Sequence, residues 1–185
     1  MSKAWFVVGA ALAMSCSGVW AADLEYRQTI SINSPNPTVD EVDAALFPKG
    51  IAELKAECAQ MEKIGLRCQS VISKSSMDTI QVTFARGSAV LTEEGKGFLR
   101  SLGAALKRKP DVWKSVAIEG HTDATGTEGT NRKLSKSRAD AVKSFLQAEF
   151  GLSKIETVGR SSDKLRDTEH PDSAMNRRVE FVPEW

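Results

Sequence analysis

Residues 116–146 read VAIEGHTDATGTEGTNRKLSKSRADAVKSFL, which is an apolar run, a polar loop with glycines, and a stretch of helical periodicity. The apolar run Val116–Gly120 predicts a short strand. Beyond the loop, apolar side chains recur at helical spacing, at Leu134, Ala141, Val142, Phe145 and Leu146. Gly151 then supplies a helix terminator. A strand that leads through a polar loop into an amphipathic helix predicts an α/β unit with a candidate site at the strand end.

The flanking sequence extends this unit in both directions. Asp78–Phe84 alternates apolar and polar residues and predicts a strand, and Thr92 offers an N-cap for a helix that follows it. Ile155–Gly159 and Arg178–Val182 predict two more short strands. The apolar faces comprise Ile80, Val82 and Phe84 in the first strand and Phe98, Leu99, Leu102 and Leu106 in the helix. The order β-α-β-α-β-β over residues 77–185 predicts an α/β domain with helices on one face of a mixed sheet.

Composition narrows the classes of function. The chain has 185 residues, of which 41% are hydrophobic and 26% are charged, as in an ordinary globular protein. Its 25 Lys and Arg residues against 24 Asp and Glu residues leave a formal net charge of +1. Without a basic surplus, nucleic acid is not an expected partner.

The first residues have the three-part form of a secretory signal peptide. Lys3 precedes an apolar run, and small residues end at Ala21, so we expect residues 1–21 to be removed on export. In the alternative interpretation, Cys16 is a lipoprotein acceptor, which would add a membrane anchor. Either way, the sequence predicts a protein of the periplasm, with a possible outer-membrane association.

Residues 22–76 form a predicted N-terminal extension. An extended stretch and two helical runs, Val39–Leu46 and Ile51–Ile64, are expected here. Cys58 and Cys68 are the two cysteines left after export, and we expect them to form a disulfide. The alternative is a pair of buried free thiols.

The polar loop and the helix after it carry the densest set of reactive side chains. Asp123 lies at the strand end, and Asn131, Leu134 and Arg138 project from one side of the helix. If that side faces the loop, a carboxylate and a guanidinium meet across a shallow groove. On pattern alone, a structural salt bridge is the alternative.

Four blocks of sequence together resemble the OmpA-like peptidoglycan-binding domains of outer-membrane proteins, Pal-type lipoproteins and flagellar-motor stators. The blocks are VTFARGSAVLTEEG at 82–95, IEGHTDATG at 118–126, NRKLSKSRADAVKSFL at 131–146 and NRRVEF at 176–181. They occur in the family's order, and the resemblance covers about residues 77–185. It implies a non-enzymatic module that binds peptidoglycan without a covalent bond and tethers or organises the Gram-negative envelope.

The resemblance also implies roles for individual residues. Asp123 would bind the ammonium, and Arg138 the carboxylate, of diaminopimelate in the peptidoglycan stem peptide, because a carboxylate suits a planar two-pronged donor. Asn131 and Arg178 would shape the groove, while Phe84 and Leu134 would form its apolar floor. The chain departs from the family at Ala85, where many members have a polar residue, and at Arg160 and Ser161, in a turn that is commonly rich in glycine.

Several alternatives stay open at this point. Asn131 could cap the second helix, and Arg177 and Arg178 could be a solvated strand edge. A hydrolase using His121, Asp123 and His170 would need a ligand or nucleophile motif that the sequence lacks, so no metal, cofactor or catalytic residue is predicted. A further alternative is a scaffold or subunit of an envelope complex that binds protein partners, with residues 22–76 docking the partner and weak or no wall binding.

Overall fold

The structure, a computed structural model, describes residues 29–47, 60, 63–64, 76–85 and 87–184. The elements are β1 Thr29–Ser31, α1 Val39–Leu46, β2 Ser76–Thr79, α2 Glu93–Arg108, β3 Ser115–Gly120, α3 Glu128–Phe150, β4 Ile155–Gly159 and β5 Val179–Glu184. No helix within these ranges is both long and apolar enough to cross a bilayer. The predicted signal peptide, Cys16, the Cys58–Cys68 disulfide and nearly all of the predicted Ile51–Ile64 helix lie outside the described residues.

The five strands form one mixed sheet in the order β1-β2-β5-β3-β4. β1 is parallel to β2 and β3 is parallel to β4, while β5 runs antiparallel to both of its neighbours, β2 and β3. On one face, Met77, Phe181 and Ile118 are register partners and are fully buried. Helices α1, α2 and α3 pack against this face, since all of them contribute to the same apolar cluster. The predicted α/β class and mixed sheet are confirmed.

Local sequence signals fix where the helices begin. The Thr92 side chain accepts a hydrogen bond from Gly95 N at 3.1 Å, and Thr127 caps α3 in the same way. Close contact then fixes where α3 lies. A Cβ on Gly120 would stand 2.2 Å from the Ser135 carbonyl oxygen, so α3 rests directly on the end of β3.

Two predicted strands differ in extent from the observed ones. The strand expected over Asp78–Phe84 is instead β2, Ser76–Thr79. It ends because Gln81 N donates to Thr79 Oγ1 at 3.0 Å and turns the chain. Beyond that turn the sequence still alternates, but Ile80, Val82, Thr83 and Phe84 all line a groove, which is described below. At the other end, β5 covers Val179–Glu184 and starts one residue later than expected.

Residues 29–47 share the sheet and the core of the domain. β1 extends the sheet beside β2, and Val42 and Leu46 of α1 are fully buried. The exposed face of α1 pairs with the end of α2, where Lys109 Nζ lies 2.8 Å from Asp43 Oδ2. Over this range the N-terminal segment is therefore part of the same sheet and core. The domain boundary expected at residue 77 stays a prediction.

Candidate functional site

A groove of about 250 Å³ opens at the edge of the sheet where β2 and β3 end and β5 begins. Its lining residues come from four parts of the chain: Ile80, Val82, Thr83, Phe84, His121, Arg138, Ala174, Arg177 and Arg178. Three guanidinium groups and an imidazole therefore face an apolar wall. Such a mixture suits a ligand that carries negative charge on an aliphatic chain.

Arg138 projects from α3 into this groove and is held there by two contacts. Its Nε donates to the Ser88 carbonyl oxygen at 3.2 Å, and its guanidinium lies 5.2 Å from the centroid of the Phe84 ring. Burial lowers the pKa of Arg138, the nearby Arg177 lowers it further, and Asp123 opposes both effects. Arginine stays protonated in any case, so the half-buried guanidinium is a fixed positive charge with its Nη atoms available to a ligand.

Asp123 lies beside the groove with both carboxylate oxygens engaged. Oδ1 accepts from Thr125 N at 3.1 Å and from Thr125 Oγ1, while Oδ2 accepts from Arg177 Nη1 at 2.8 Å. Burial raises the pKa of Asp123, but the hydrogen bonds from Thr125 and Arg177 outweigh it and leave the pKa below its usual value. Asp123 is therefore ionised at neutral pH. Its ion-pair partner in the structure is Arg177, so the alternative of a structural salt bridge between Asp123 and Arg138 is not what the structure shows.

Asn131 orients the loop that carries Asp123. Its Nδ2 donates to the Thr125 carbonyl at 2.9 Å and to the Asp123 carbonyl at 3.3 Å. The N-cap of α3 is Thr127, so the expectation that Asn131 caps this helix is wrong: at the end of the first turn it faces back onto the loop.

A row of three carboxylates crosses the sheet face opposite the helices. Asp78, Glu180 and Glu119 are register partners on β2, β5 and β3, so like charges lie side by side. Arginines offset them: Arg178 Nε lies 3.6 Å and Arg166 Nη1 3.2 Å from Asp78 Oδ2. Arg178 is 8% exposed and precedes a central strand, so its interpretation as a solvated edge is wrong. Arg178 lines the groove and at the same time belongs to this layer of carboxylates and arginines.

Two of the departures from the family pattern have a structural role, Arg160 in this layer and Ser161 against α3. Arg160 Nη2 lies 2.6 Å from Glu119 Oε1 and neutralises it. Ser161 has φ 52°, the left-handed conformation that glycine adopts easily, and its N–H donates to Ser135 Oγ at 3.1 Å. Ala85, the third departure, is exposed and begins the 85–90 loop with a backbone hydrogen bond to Val90.

His121 is buried in this layer and does not form the predicted hydrolase alternative. Its Nε2 lies 3.6 Å from Glu180 Oε2, and burial lowers its pKa although Glu180 opposes the shift. Among the described residues, Glu119, His121 and Glu180 are the one cluster that brings metal-ligand atoms within 4.8 Å of each other. Arg160, Arg166 and Arg178 together balance Glu119, Glu180 and the neighbouring Asp78, so we assign this cluster a structural role. His170 is exposed and pairs with Asp167 instead.

The structure thus brings Phe84, Arg138 and Arg178 into the groove wall and Asp123 beside it. Leu134 is half-buried on α3 and, like Asn131, is not a lining residue, so its predicted place in the apolar floor is taken by Ile80 and Val82.

Sequence reasoning missed two neighbours in the NRRVEF block. Asn176 is fully buried, and its side chain makes five hydrogen bonds to the backbone of the 166–171 loop. Arg177, next in sequence, holds Asp123. One signal was available in the sequence. Residues 161–177 form a long polar stretch before a predicted strand, and an asparagine at its end can satisfy backbone groups of such a loop.

Residues 83–178 match the OmpA family, and the chain belongs to it. Outer membrane porin F of Pseudomonas aeruginosa is 32% identical over 105 residues, which cover 55% of this chain and 29% of the porin. The probable lipoprotein YiaD of Escherichia coli is 35% identical over 104 residues, covering 55% and 47% of the two chains. Peptidoglycan-binding protein ArfA of Mycobacterium tuberculosis is 37% identical over 104 residues, covering 55% and 31%. The chain therefore spans less than half the length of these relatives.

Solved structures show the same fold. The OmpA-like domain of FopA1 from Francisella tularensis aligns with a TM-score of 0.50 and 28% identity over 58% of this chain and 70% of that one. The cell wall anchor of the T6SS from Pseudomonas aeruginosa aligns with a TM-score of 0.50 and 26% identity over 72% and 96%. Among the relatives are an outer membrane porin and a probable lipoprotein, and such relatives indicate the bacterial envelope, in the periplasm or associated with the outer membrane.

Proposed function

We propose that the protein binds peptidoglycan non-covalently and so tethers or organises the Gram-negative envelope, with no catalytic step and no cofactor. The groove takes the free end of diaminopimelate in the stem peptide. Two relatives support the ligand class by their names, a peptidoglycan-binding protein and a cell wall anchor. The observation that carries the proposal is an ionised Asp123 beside a groove into which Arg138 projects, since the two offer opposite charges to a zwitterionic group.

The chemistry of each residue follows from its contacts. The Nε of Arg138 donates to Ser88, and its guanidinium group lies over the Phe84 ring. The two Nη atoms are left to bind a carboxylate through two hydrogen bonds. Asp123 supplies the carboxylate for the ammonium, and Asn131 holds its loop. Each charge-assisted hydrogen bond contributes about 1.5 to 3 kcal/mol, so binding at one site is modest and a polymer with repeated ligands strengthens retention.

Calorimetric titration with a stem peptide that contains meso-diaminopimelate tests this proposal. The parent protein should bind, and Asp123→Ala and Arg138→Ala should each lose binding while their circular dichroism stays unchanged. Arg132→Ala is the matched control, because Arg132 is an exposed arginine on the same helix that pairs with Glu128 and Asp163. If the folded parent does not bind, the proposal is wrong, and the domain would be a scaffold for protein partners.

A further inference from the structure

We propose that Arg177 exchanges partners when ligand binds: it occupies Asp123 in the free protein, gives way to the ligand's ammonium, and then joins Arg138 on the ligand's carboxylate. This inference rests on the proposed function and adds a specificity rule to it. The groove would select a group that carries both charges over a group that carries an ammonium alone.

Asp123 is largely occupied in the free protein, since three of the roughly four acceptor positions of its carboxylate are taken. Thr125 engages Oδ1 twice from within the same loop, and Arg177 engages Oδ2 from outside it. The Asp123 side chain is only 10% exposed, whereas that of Arg177 is 46% exposed. An incoming ammonium therefore competes with the existing partners for this little-exposed carboxylate, and Arg177 is the partner that can move into solvent without unfolding the loop.

The backbone of Arg177 stays fixed while its side chain moves. Its N–H donates to the Ala174 carbonyl at 3.1 Å, and the preceding Asn176 is anchored by its five side-chain hydrogen bonds. Only the flexible side chain needs to change rotamer. A displaced guanidinium therefore remains tethered at the groove that it already lines together with Arg138.

The balance of charges in the groove explains why a zwitterionic group should bind more tightly than an ammonium alone. Arg178 belongs to a layer in which three arginines, Arg160, Arg166 and Arg178, balance the three carboxylates Asp78, Glu119 and Glu180. The charges that decide binding are therefore Asp123, Arg177 and Arg138. An ammonium alone would take Asp123 and leave two guanidinium groups facing each other across the groove without a counter-ion. A zwitterion supplies the missing carboxylate at the same moment, so both guanidinium groups regain a partner.

The test compares three synthetic stem peptides that differ only at the third residue. One has meso-diaminopimelate, one has L-lysine, which keeps the ammonium and lacks the carboxylate, and one has diaminopimelate with that carboxylate amidated. Each is titrated calorimetrically into the parent, Arg177→Gln, Arg177→Lys and the control Arg132→Ala. Urea unfolding of each variant accompanies the titrations to confirm that it is folded.

The parent and the Arg132→Ala control should bind the diaminopimelate peptide at least about tenfold more tightly than the other two, the loss expected for one charge-assisted contact. In Arg177→Gln, the lysine peptide should bind more tightly than it does to the parent, because Asp123 is released, and the diaminopimelate peptide should bind more weakly. The preference should therefore fall by about tenfold or more. Arg177→Lys should retain part of it.

An unchanged preference in folded Arg177→Gln would overturn the partner exchange and leave the proposed function intact. Equal weakening of all three peptides in that variant would also overturn it, since Arg177 would then only support the loop. Failure of the parent to bind any of the peptides would instead refute the proposed function itself.

Discussion

Replacing Asn176 by alanine should destabilise the domain far more than an alanine substitution at a typical polar residue. The Asn176 Oδ1 accepts from Arg166 N at 2.8 Å and from Asp167 N at 2.9 Å, and Nδ2 donates to three carbonyls of the same loop. The side chain is fully buried. Alanine would strand two backbone N–H groups, each at about 1 to 3 kcal/mol, while the carbonyls of a surface loop regain water more easily. We expect the free energy of unfolding to fall by about 3 kcal/mol.

Urea unfolding followed by circular dichroism measures this loss, with Asn36→Ala as the matched control, since Asn36 is exposed. Asn131→Ala should cost less, about 1 kcal/mol, because Asn131 only donates to two loop carbonyls and its removal strands no backbone N–H. A fall of less than about 1 kcal/mol for Asn176→Ala, with the slope against urea unchanged, would refute the reasoning, because it would mean that water satisfies the stranded groups.

Two further results are expected. Gly120→Ala should lower the free energy of unfolding by about 2 kcal/mol or more, because the new Cβ would lie 2.2 Å from the Ser135 carbonyl oxygen. Gly129→Ala is the control: its Cβ would have open space, so the variant should be neutral or stabilising in the same urea assay. Equal effects of the two substitutions would contradict the close approach of α3. Burial lowers the pKa of His121, so the unfolded chain takes up a proton below about pH 6.5 that the folded protein does not. The free energy of unfolding should therefore fall as the pH drops below that value. His121→Gln should reduce this pH dependence, whereas the control His170→Gln, at an exposed histidine, should keep it. An unchanged pH dependence in His121→Gln would contradict the lowered pKa of His121.

Local signals in the sequence predict most of the fold. Thr92 begins a helix because its side chain can satisfy a free N–H, and α1, whose N-cap is Thr38, matches the predicted span. The stretch 80–84 misled the strand prediction, because its apolar and polar residues alternate as in a pleated strand although Val82, Thr83 and Phe84 all line the groove. Local patterns cannot resolve that ambiguity.

The candidate site is predicted less completely, because its decisive contacts are tertiary. Asp123 and Arg138 lie within one continuous block of sequence, which is why both could be singled out. Arg177 reaches Asp123 from 54 positions away, and nothing in its own surroundings indicates that contact. The charged row on the sheet has the same origin, since Asp78, Glu180 and Glu119 become neighbours only through the register of three strands.

The position of β5 has a consequence for how the domain is made. This strand is the last described element along the chain, yet it lies in the middle of the sheet and joins β2 to β3. Until residues 179–184 have been synthesised, only the parallel pairs β1–β2 and β3–β4 can form, and the edges of β2 and β3 that β5 later covers are unpaired. Contacts that link residue 77 to residue 181 span most of the domain, so completion of the sheet should be slow. This order of assembly delays closure of the domain, and a delay of that kind would suit the export that the sequence predicts.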